Sequence, residues 1–333
     1  MAPAMSRTSV GFDLPDTELE ARLLRGLAAV EQQLAVAVKS SDDFVSETSR
    51  HLVDAGGKRF RPLLTLLAAE YGDYEAPGVV PSAVVVELTH LATLYHDDVM
   101  DEAPRRRGAE SANSRWGNTV AILTGDFLFA RASDILADLG PEAVRLQART
   151  FERLCVGQIR ETVGPRPGAS PVDHHLSVLS DKTGSLIATS ARFGAMQAGA
   201  DDVTVDALTR FGERIGVAFQ LADDLVDITS DPSTSGKTPG TDLREGVPTL
   251  PGLLVLSRED GTRLAELLAR PLPDDDDHAE ALALLRADEA VAQARAEAHR
   301  WAVDAAECLR PLPDIPATAA LSALCDYVVD RTA

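Results

Sequence analysis

The feature that most limits the fold is a helical period sustained from one end of the chain to the other. Alanine and leucine recur at i, i+3 and i+4 through most of the 333 residues, and the alternation of a half-buried strand is scarce. This period predicts helices over Glu18–Lys39, Pro81–Met100, Thr119–Leu139, Glu142–Thr162, Leu186–Ala200, Asp206–Asp227 and Ala279–Ala305. Gly78–Val86 could pass for a strand, but it continues into Glu87-Leu88-Thr89-His90 and reads better as buried helix. Breaks fall at Gly164–Gly168, Asp231–Gly240 and Pro271–Asp277, and Asp274–Asp277 is expected to be a solvated acidic loop. Residues 1–15 read as a disordered N-terminus. Nothing repeats at a fixed period and no composition shift marks a boundary, so a single all-α domain over 16–333 is expected.

Charge and cysteine usage exclude several classes of function. Lys+Arg 32 against Asp+Glu 52 leaves a formal net charge of −20, which repels nucleic acid. Cys155, Cys308 and Cys325 are too widely spaced for a zinc site or a disulfide framework, which suits a cytoplasmic protein. The N-terminus lacks the apolar core of a signal peptide, and the most apolar run, Gly78–Tyr95, is interrupted by Glu87 and His90. The basic residues include only four lysines, Lys39, Lys58, Lys182 and Lys237, and three of these fall in motifs.

Two aspartate clusters carry the chemistry. Asp97-Asp98-Val99-Met100-Asp101 and Asp223-Asp224-Leu225-Val226-Asp227 share one spacing, and each closes an apolar helical run. On a helix, i and i+4 share a face, so Asp97 pairs with Asp101 and Asp223 with Asp227. Like charges so placed repel, and a hard cation such as Mg²⁺ would offset them while also holding phosphate oxygens. Cations accompany the acids: Gly56-Gly57-Lys58-Arg59-Phe60-Arg61-Pro62, Arg105-Arg106-Arg107-Gly108, Asp181-Lys182-Thr183-Gly184 and Gly236-Lys237-Thr238. Arginine grips phosphate oxygens bidentately and lysine acts as a point charge, so the set points to a diphosphate. No P-loop pattern is present.

In this order the motifs GGKRFRP, HDDVMD, RRRG, GD, DKTG, FQLADD and GKTPGTDL, spread over roughly residues 50–255, resemble the trans-prenyl diphosphate synthases. The resemblance implies an all-α isoprenoid synthase bundle around a central cavity, and a homodimer. It implies about three Mg²⁺ ions with substrate bound, on Asp97, Asp101 and Asp223, with Asp98, Asp227, Gln158 and Glu161 in support and Asp224 within the catalytic cluster. Arg106, Lys182, Thr183, Gln220 and Lys237 would hold an allylic diphosphate. Gly57, Lys58, Arg61, His90 and Arg107 would hold isopentenyl diphosphate. The reaction would be ionisation, condensation and elimination, with no protein nucleophile. Many relatives carry a lysine where this chain has Val247, and Arg244 could replace that cation. Membrane contact is expected to be transient at most.

The remaining residues have plainer readings. His96 is expected to orient Asp97, while His174 and His175 diverge around a helix and read as structural. Trp116 and Trp301 read as packing residues, and Cys155 as a small apolar residue.

Product length follows from the helix above the first acids. One turn rises about 5.4 Å, close to the length of one isoprene, so a tail running up this helix passes Thr93 and Ala92, then Thr89. None is aromatic, so these three walls are open and a medium- or long-chain product, about C30–C50, is expected. Phe127 and Phe129 are candidate floors from another helix. The alternatives are a geranylgeranyl (about C20) product, a terpene cyclase of the same fold, or a non-catalytic partner subunit. A cyclase needs no isopentenyl site, which Lys58, Arg61 and Arg107 suggest, and a partner subunit has no need of two intact acid clusters.

Overall fold

The structure is a computed structural model that describes residues 16–230 and 239–330. The N-terminal stretch expected to be disordered and Lys237 with its flanking residues lie outside the described residues. Helices dominate in chain order: α1 (Thr17–Ala37), α2 (Asp43–Asp54), α3 (Phe60–Ala69), α4 (Val79–Met100), α5 (Ala112–Trp116), α6 (Asn118–Leu139), α7 (Pro141–Val163), α8 (Pro171–Leu179), α9 (Ser185–Gln197) and α10 (Asp202–Thr229). After these come α11 (Thr241–Glu245), α12 (Leu250–Leu256), α13 (Arg263–Leu268), α14 (Asp275–Ala287), α15 (Glu289–Cys308) and α16 (Pro316–Asp330).

The described residues group into two compact units. The first comprises the chain to Thr150, Leu186–Thr209 and Pro311–Ala323; the second comprises Phe151–Ser185, Arg210–Arg310 and the chain from Leu324.

In the first unit α4 is the central element. Leu88, Leu91, Ala92 and Tyr95 on it are fully buried, because a helix apolar on every side must be covered on every side. The Tyr95 hydroxyl donates to the Thr48 carbonyl at 2.6 Å and accepts from Leu52 N–H, which ties α2 to α4. On α6, a Cβ at Gly125 would stand 3.1 Å from the Ala92 carbonyl and closer still to His96, so only glycine lets α4 and α6 approach so nearly. The same holds for α3 and α9, where a Cβ at Gly194 would overlap the Thr65 carbonyl.

The second unit packs α8, α10, α12, α14 and α15 around Leu179, Val217, Leu221, Leu225, Leu250, Leu285 and Ala294. Its acids serve as caps. Asp274 accepts from Asp276 N–H and Asp277 N–H, so Asp274–Asp277 is the N-cap and first turn of α14 and not the expected free loop. Acids favour that position because the first amides of a helix lack partners and carry partial positive charge. The single helix expected over Ala279–Ala305 is two. Asp288 turns to extended backbone (φ −82°, ψ 146°) and caps Ala290 N–H at 2.8 Å, a role the short carboxylate fills better than a helix interior.

The only strands among the described residues are Arg105–Arg106 and Ala109–Glu110, an antiparallel hairpin. Its tip, Arg107 (φ 51°) and Gly108 (φ 79°), has positive φ at both positions, the geometry whose twist matches a tight hairpin.

The contact at Gly194 gives a test. Gly194→Ala should destabilise the chain by roughly 1–3 kcal/mol or more through overpacking of backbone against backbone, while Gly252→Ala, with only a 3.6 Å neighbour, should melt like the native chain. Circular-dichroism melting of the two variants checks this.

Candidate active site

In the first unit a buried carboxylate gathers the cations. Glu87 is the one acid in the apolar run Val79–Tyr95 and is 2% exposed. Arg59 Nη1 donates to it at 2.9 Å, and Arg107 Nη2 stands 3.8 Å away. Arg59 is further fixed by Glu31 and the Val53 carbonyl, and Arg107 by the Leu52 and Gly56 carbonyls. Both arginines hold left-handed backbones, φ 48° and 51°, a strain that structures retain chiefly where function requires it. Gly57 must be glycine: a Cβ there would lie 2.9 Å from the Arg107 guanidinium carbon.

Positive charge in this cluster exceeds what Glu87 balances. Arg61 Nε is buried without a hydrogen-bond partner among the described residues. Burial pushes the Arg61 guanidinium down to about 10; Glu87 opposes that shift and Arg107 adds to it. Burial and neighbouring cations also lower Arg107. His90 is driven well below the usual histidine range by burial first, and then by Arg61, Arg107, Arg106 and Arg59. Lys58 is exposed at the rim. Cations so placed suit an anion with several oxygens.

At the end of α4 the first acid cluster divides by face. Asp98 is fully buried and accepts from Arg106 Nε at 2.6 Å; burial raises its pKa, with Arg106 pulling the other way. Asp97 is half-buried and Asp101 exposed, one turn apart, joined by a backbone bond of 2.8 Å from Asp101 N–H to the Asp97 carbonyl. His96 engages α6 through Nε2, which meets the Ile122 carbonyl at 3.1 Å and Asp126 at 3.4 Å.

The second unit repeats this division. Asp224 is buried and accepts from Gln220 Nε2 at 3.2 Å, with His175 Nε2 at 3.8 Å. Asp223 and Asp227 are half-buried, and the Asp227 carboxylate receives the amides of Thr241 and Asp242 at the start of α11. The Thr183 hydroxyl donates to Gln220 Oε1 at 3.2 Å, which makes a chain from Thr183 through Gln220 to Asp224. Lys182 pairs with Glu161. Lys182 and Thr183 lie in a single π-turn, Ser180–Gly184, a helical irregularity common at functional sites. Behind it Arg153 bridges Asp181 (3.0 Å) and Glu213 (3.0 Å), and Arg160 reaches Asp181 at 3.3 Å. Burial pushes Glu213 up, but hydrogen bonds from Arg153 and Ser180 outweigh it and hold the carboxyl below its usual value.

Sequence reasoning gave no role to Arg153 or Glu213, saw Glu87 only as a break in an apolar run, and counted Arg59 only as one cation of its motif. A lone acid in a long apolar helix was the available signal for Glu87, since a buried charge requires a partner. Arg244, the expected replacement at Val247, is committed elsewhere, to Asp275 at 2.8 Å and the Pro273 carbonyl. Cys155 is exposed on α7 and not packed as an apolar residue. His174 meets the Arg160 carbonyl at 3.1 Å. Trp116 stacks edge-on with His51, and Trp301 packs on the core of the second unit. Ala92 and Thr89 are fully buried; Thr93, Phe127 and Phe129 are half-buried.

The state of His90 makes stability depend on pH. The native chain keeps it neutral where the unfolded chain takes up a proton below about pH 6.5, so the native state binds fewer protons there. Its contribution to stability is therefore lost as pH falls below about 6.5 and is constant above it. Urea midpoints at about pH 5.5 and 7.5 should differ less in His90→Gln than in the native chain.

Comparison with known proteins agrees with this geometry. The polyprenyl synthetase family model matches residues 42–285. A nonaprenyl diphosphate synthase of Mycobacterium tuberculosis is 49% identical over 324 residues, which cover 96% of this chain and 97% of that protein. The solved geranylgeranyl pyrophosphate synthase of Corynebacterium glutamicum, complexed with calcium and isoprenyl diphosphate, superposes with a TM-score of 0.86 at 45% identity, over 96% of this chain and 99% of its own. A decaprenyl diphosphate synthase of Rhodobacter capsulatus does so at 0.87 and 34% identity, over 95% of this chain and 99% of its own. Two acid clusters of one spacing, a cluster of buried cations and these likenesses agree: the chain belongs to the polyprenyl synthetase family.

Proposed function

We propose that this protein is a trans-prenyltransferase that adds isopentenyl diphosphate units to an allylic diphosphate and releases a medium- or long-chain polyprenyl diphosphate. The observation that carries the reading is the cationic cluster around Glu87. An enzyme that only ionises one allylic diphosphate needs no second diphosphate site, and a terpene cyclase therefore fits less well. Gly57, Lys58, Arg61, His90 and Arg107 form the isopentenyl site. Arg61 offers an unmatched N–H, His90 a neutral hydrogen bond, and Gly57 the room for Arg107.

Arg106, Lys182, Thr183, Gln220 and Lys237 hold the allylic diphosphate. The donor set suits Mg²⁺: Asp97 and Asp101 give hard oxygens one turn apart, and Mg²⁺ takes one or two carboxylates with phosphate oxygens completing its shell. As the family resemblance implies, Asp97, Asp101 and Asp223 would hold it, with Asp227, Gln158 and Glu161 in support. Bound there, Mg²⁺ supplies the positive charge that stabilises diphosphate as it leaves the allylic carbon. Asp98 and Asp224, buried against Arg106 and Gln220, fix the outer acids of each cluster in direction. The side chains hold both substrates away from water while the isopentenyl double bond attacks the allylic cation. The departing diphosphate accepts the final proton. Among the described residues no helix is long and apolar enough to cross a membrane, and we place the enzyme in the cytoplasm as a homodimer.

The purified protein with Mg²⁺, isopentenyl diphosphate and farnesyl diphosphate should give a product ladder by mass spectrometry that a chelator abolishes. A cyclic hydrocarbon from the allylic diphosphate alone would overturn the reading. Arg61→Ala should raise KM for isopentenyl diphosphate by about tenfold or more, the loss of a charged hydrogen bond, with a smaller change in kcat. Ala92→Phe should shorten the product.

A further inference from the structure

The two histidines of α8, expected from sequence to be structural, differ in what they meet. His174 Nε2 lies 3.1 Å from the Arg160 carbonyl and ties α8 to the end of α7. His175 faces the second acid cluster: its Nε2 stands 3.8 Å from Asp224 Oδ2, and the two side chains are only 11% and 10% exposed. That nitrogen is buried and has no hydrogen-bond partner among the described residues. A ring nitrogen so placed is unfavourable, and an apolar side chain of similar size would avoid the penalty. Packing therefore does not account for a histidine here.

Asp224 has the complementary need. A carboxylate has about four acceptor sites. Asp224 Oδ1 receives Gln220 Nε2 at 3.2 Å, and Oδ2 is turned toward His175. In the first cluster the matching residue, Asp98, is gripped by Arg106 Nε at 2.6 Å. The second cluster has His175 where a further donor is wanted. The helix that carries His175 runs directly into the π-turn Ser180–Gly184 with Lys182 and Thr183. One continuous stretch thus approaches Asp224 twice, through His175 and through Thr183 by way of Gln220.

We propose that His175 is a positioning residue of the second acid cluster. Its Nε2–H closes on Asp224 Oδ2 as a diphosphate and Mg²⁺ seat at Asp223 and Asp227, and holds those two carboxylates toward the cation. The proposal rests on the prenyltransferase reading. A movement of about 1 Å turns the present separation into a hydrogen bond, and bonds of this kind are often long until the site is loaded. No proton is transferred, because Nε2–H stays on the ring.

The test compares the full-length native chain with His175→Leu and His175→Gln. Leucine keeps the bulk and removes the donor, whereas glutamine places an amide nitrogen as many bonds from the backbone as Nε2. Without turnover, Mg²⁺ with inorganic diphosphate should raise the melting temperature of the native chain and of His175→Gln, and raise that of His175→Leu by less than half as much. With farnesyl and isopentenyl diphosphates, His175→Leu should need about tenfold more Mg²⁺ for half-maximal rate, with KM for isopentenyl diphosphate little changed. Native-like Mg²⁺ dependence and melting shift in His175→Leu overturn the proposal. So does a loss that glutamine fails to restore. If His175→Leu does not fold, His175→Asn, whose amide falls one bond short, takes its place with the same two outcomes. Native protein that incorporates no isopentenyl unit refutes the prenyltransferase reading, and the melting comparison still decides the role of His175.

Discussion

Two arginines converge on one carboxylate that the chain buries in the middle of a long apolar helix. A charged Glu87 in that position is tolerable only because Arg59 bonds to it directly and Arg107 stands close. The dependence runs both ways. Arg59 and Arg107 keep left-handed backbones because the carboxylate and the surrounding carbonyls hold their guanidinium groups. With two cations so fixed, Arg61 and His90 lie in a field that is positive and poorly hydrated. Burial and that field keep His90 well below the usual histidine range, and Arg61 Nε has no hydrogen-bond partner among the described residues. The loop from Gly56 to Arg59 and the Arg105–Glu110 hairpin take their shapes from this arrangement.

The second unit secures its site by a different device. Arg153, shared between Asp181 and Glu213, lies behind the π-turn that carries Lys182 and Thr183. A widened turn is unfavourable in isolation, and the ion-pair network beneath it supplies local compensation. In both units the second aspartate of the cluster is the buried one, tied to Arg106 or to Gln220. The outer aspartates, four residues apart, share one face of each helix.

Local rules were legible where one interaction decided the outcome. Gly78–Val86, ambiguous by composition, is helix because its apolar positions continue without alternation into Tyr95. The rules failed where two roles compete for one residue type. Asp274–Asp277 looked like solvated charge and caps α14; Asp288 looked like helix interior and divides α14 from α15. Arg244 was assigned by proximity in sequence, whereas its guanidinium is drawn to Asp275. The Arg107–Gly108 turn escaped notice because arginine seldom adopts positive φ unless tertiary contacts hold it there.

The sequence by itself determined the helical class, the two aspartate clusters with their shared faces, and the ordered motifs that mark the family, since periodicity and spacing are properties of neighbours along the chain. Only the tertiary structure decided which member of each cluster is buried, which cations surround Glu87, that Lys182 and Thr183 share a π-turn, and that His175 faces Asp224. Those outcomes depend on groups far apart in sequence meeting in a medium that will not tolerate an unpaired charge or polar group. The same energetic asymmetry that forces Glu87 to find Arg59 makes the unmatched Arg61 Nε and His175 Nε2 the most informative atoms of their units.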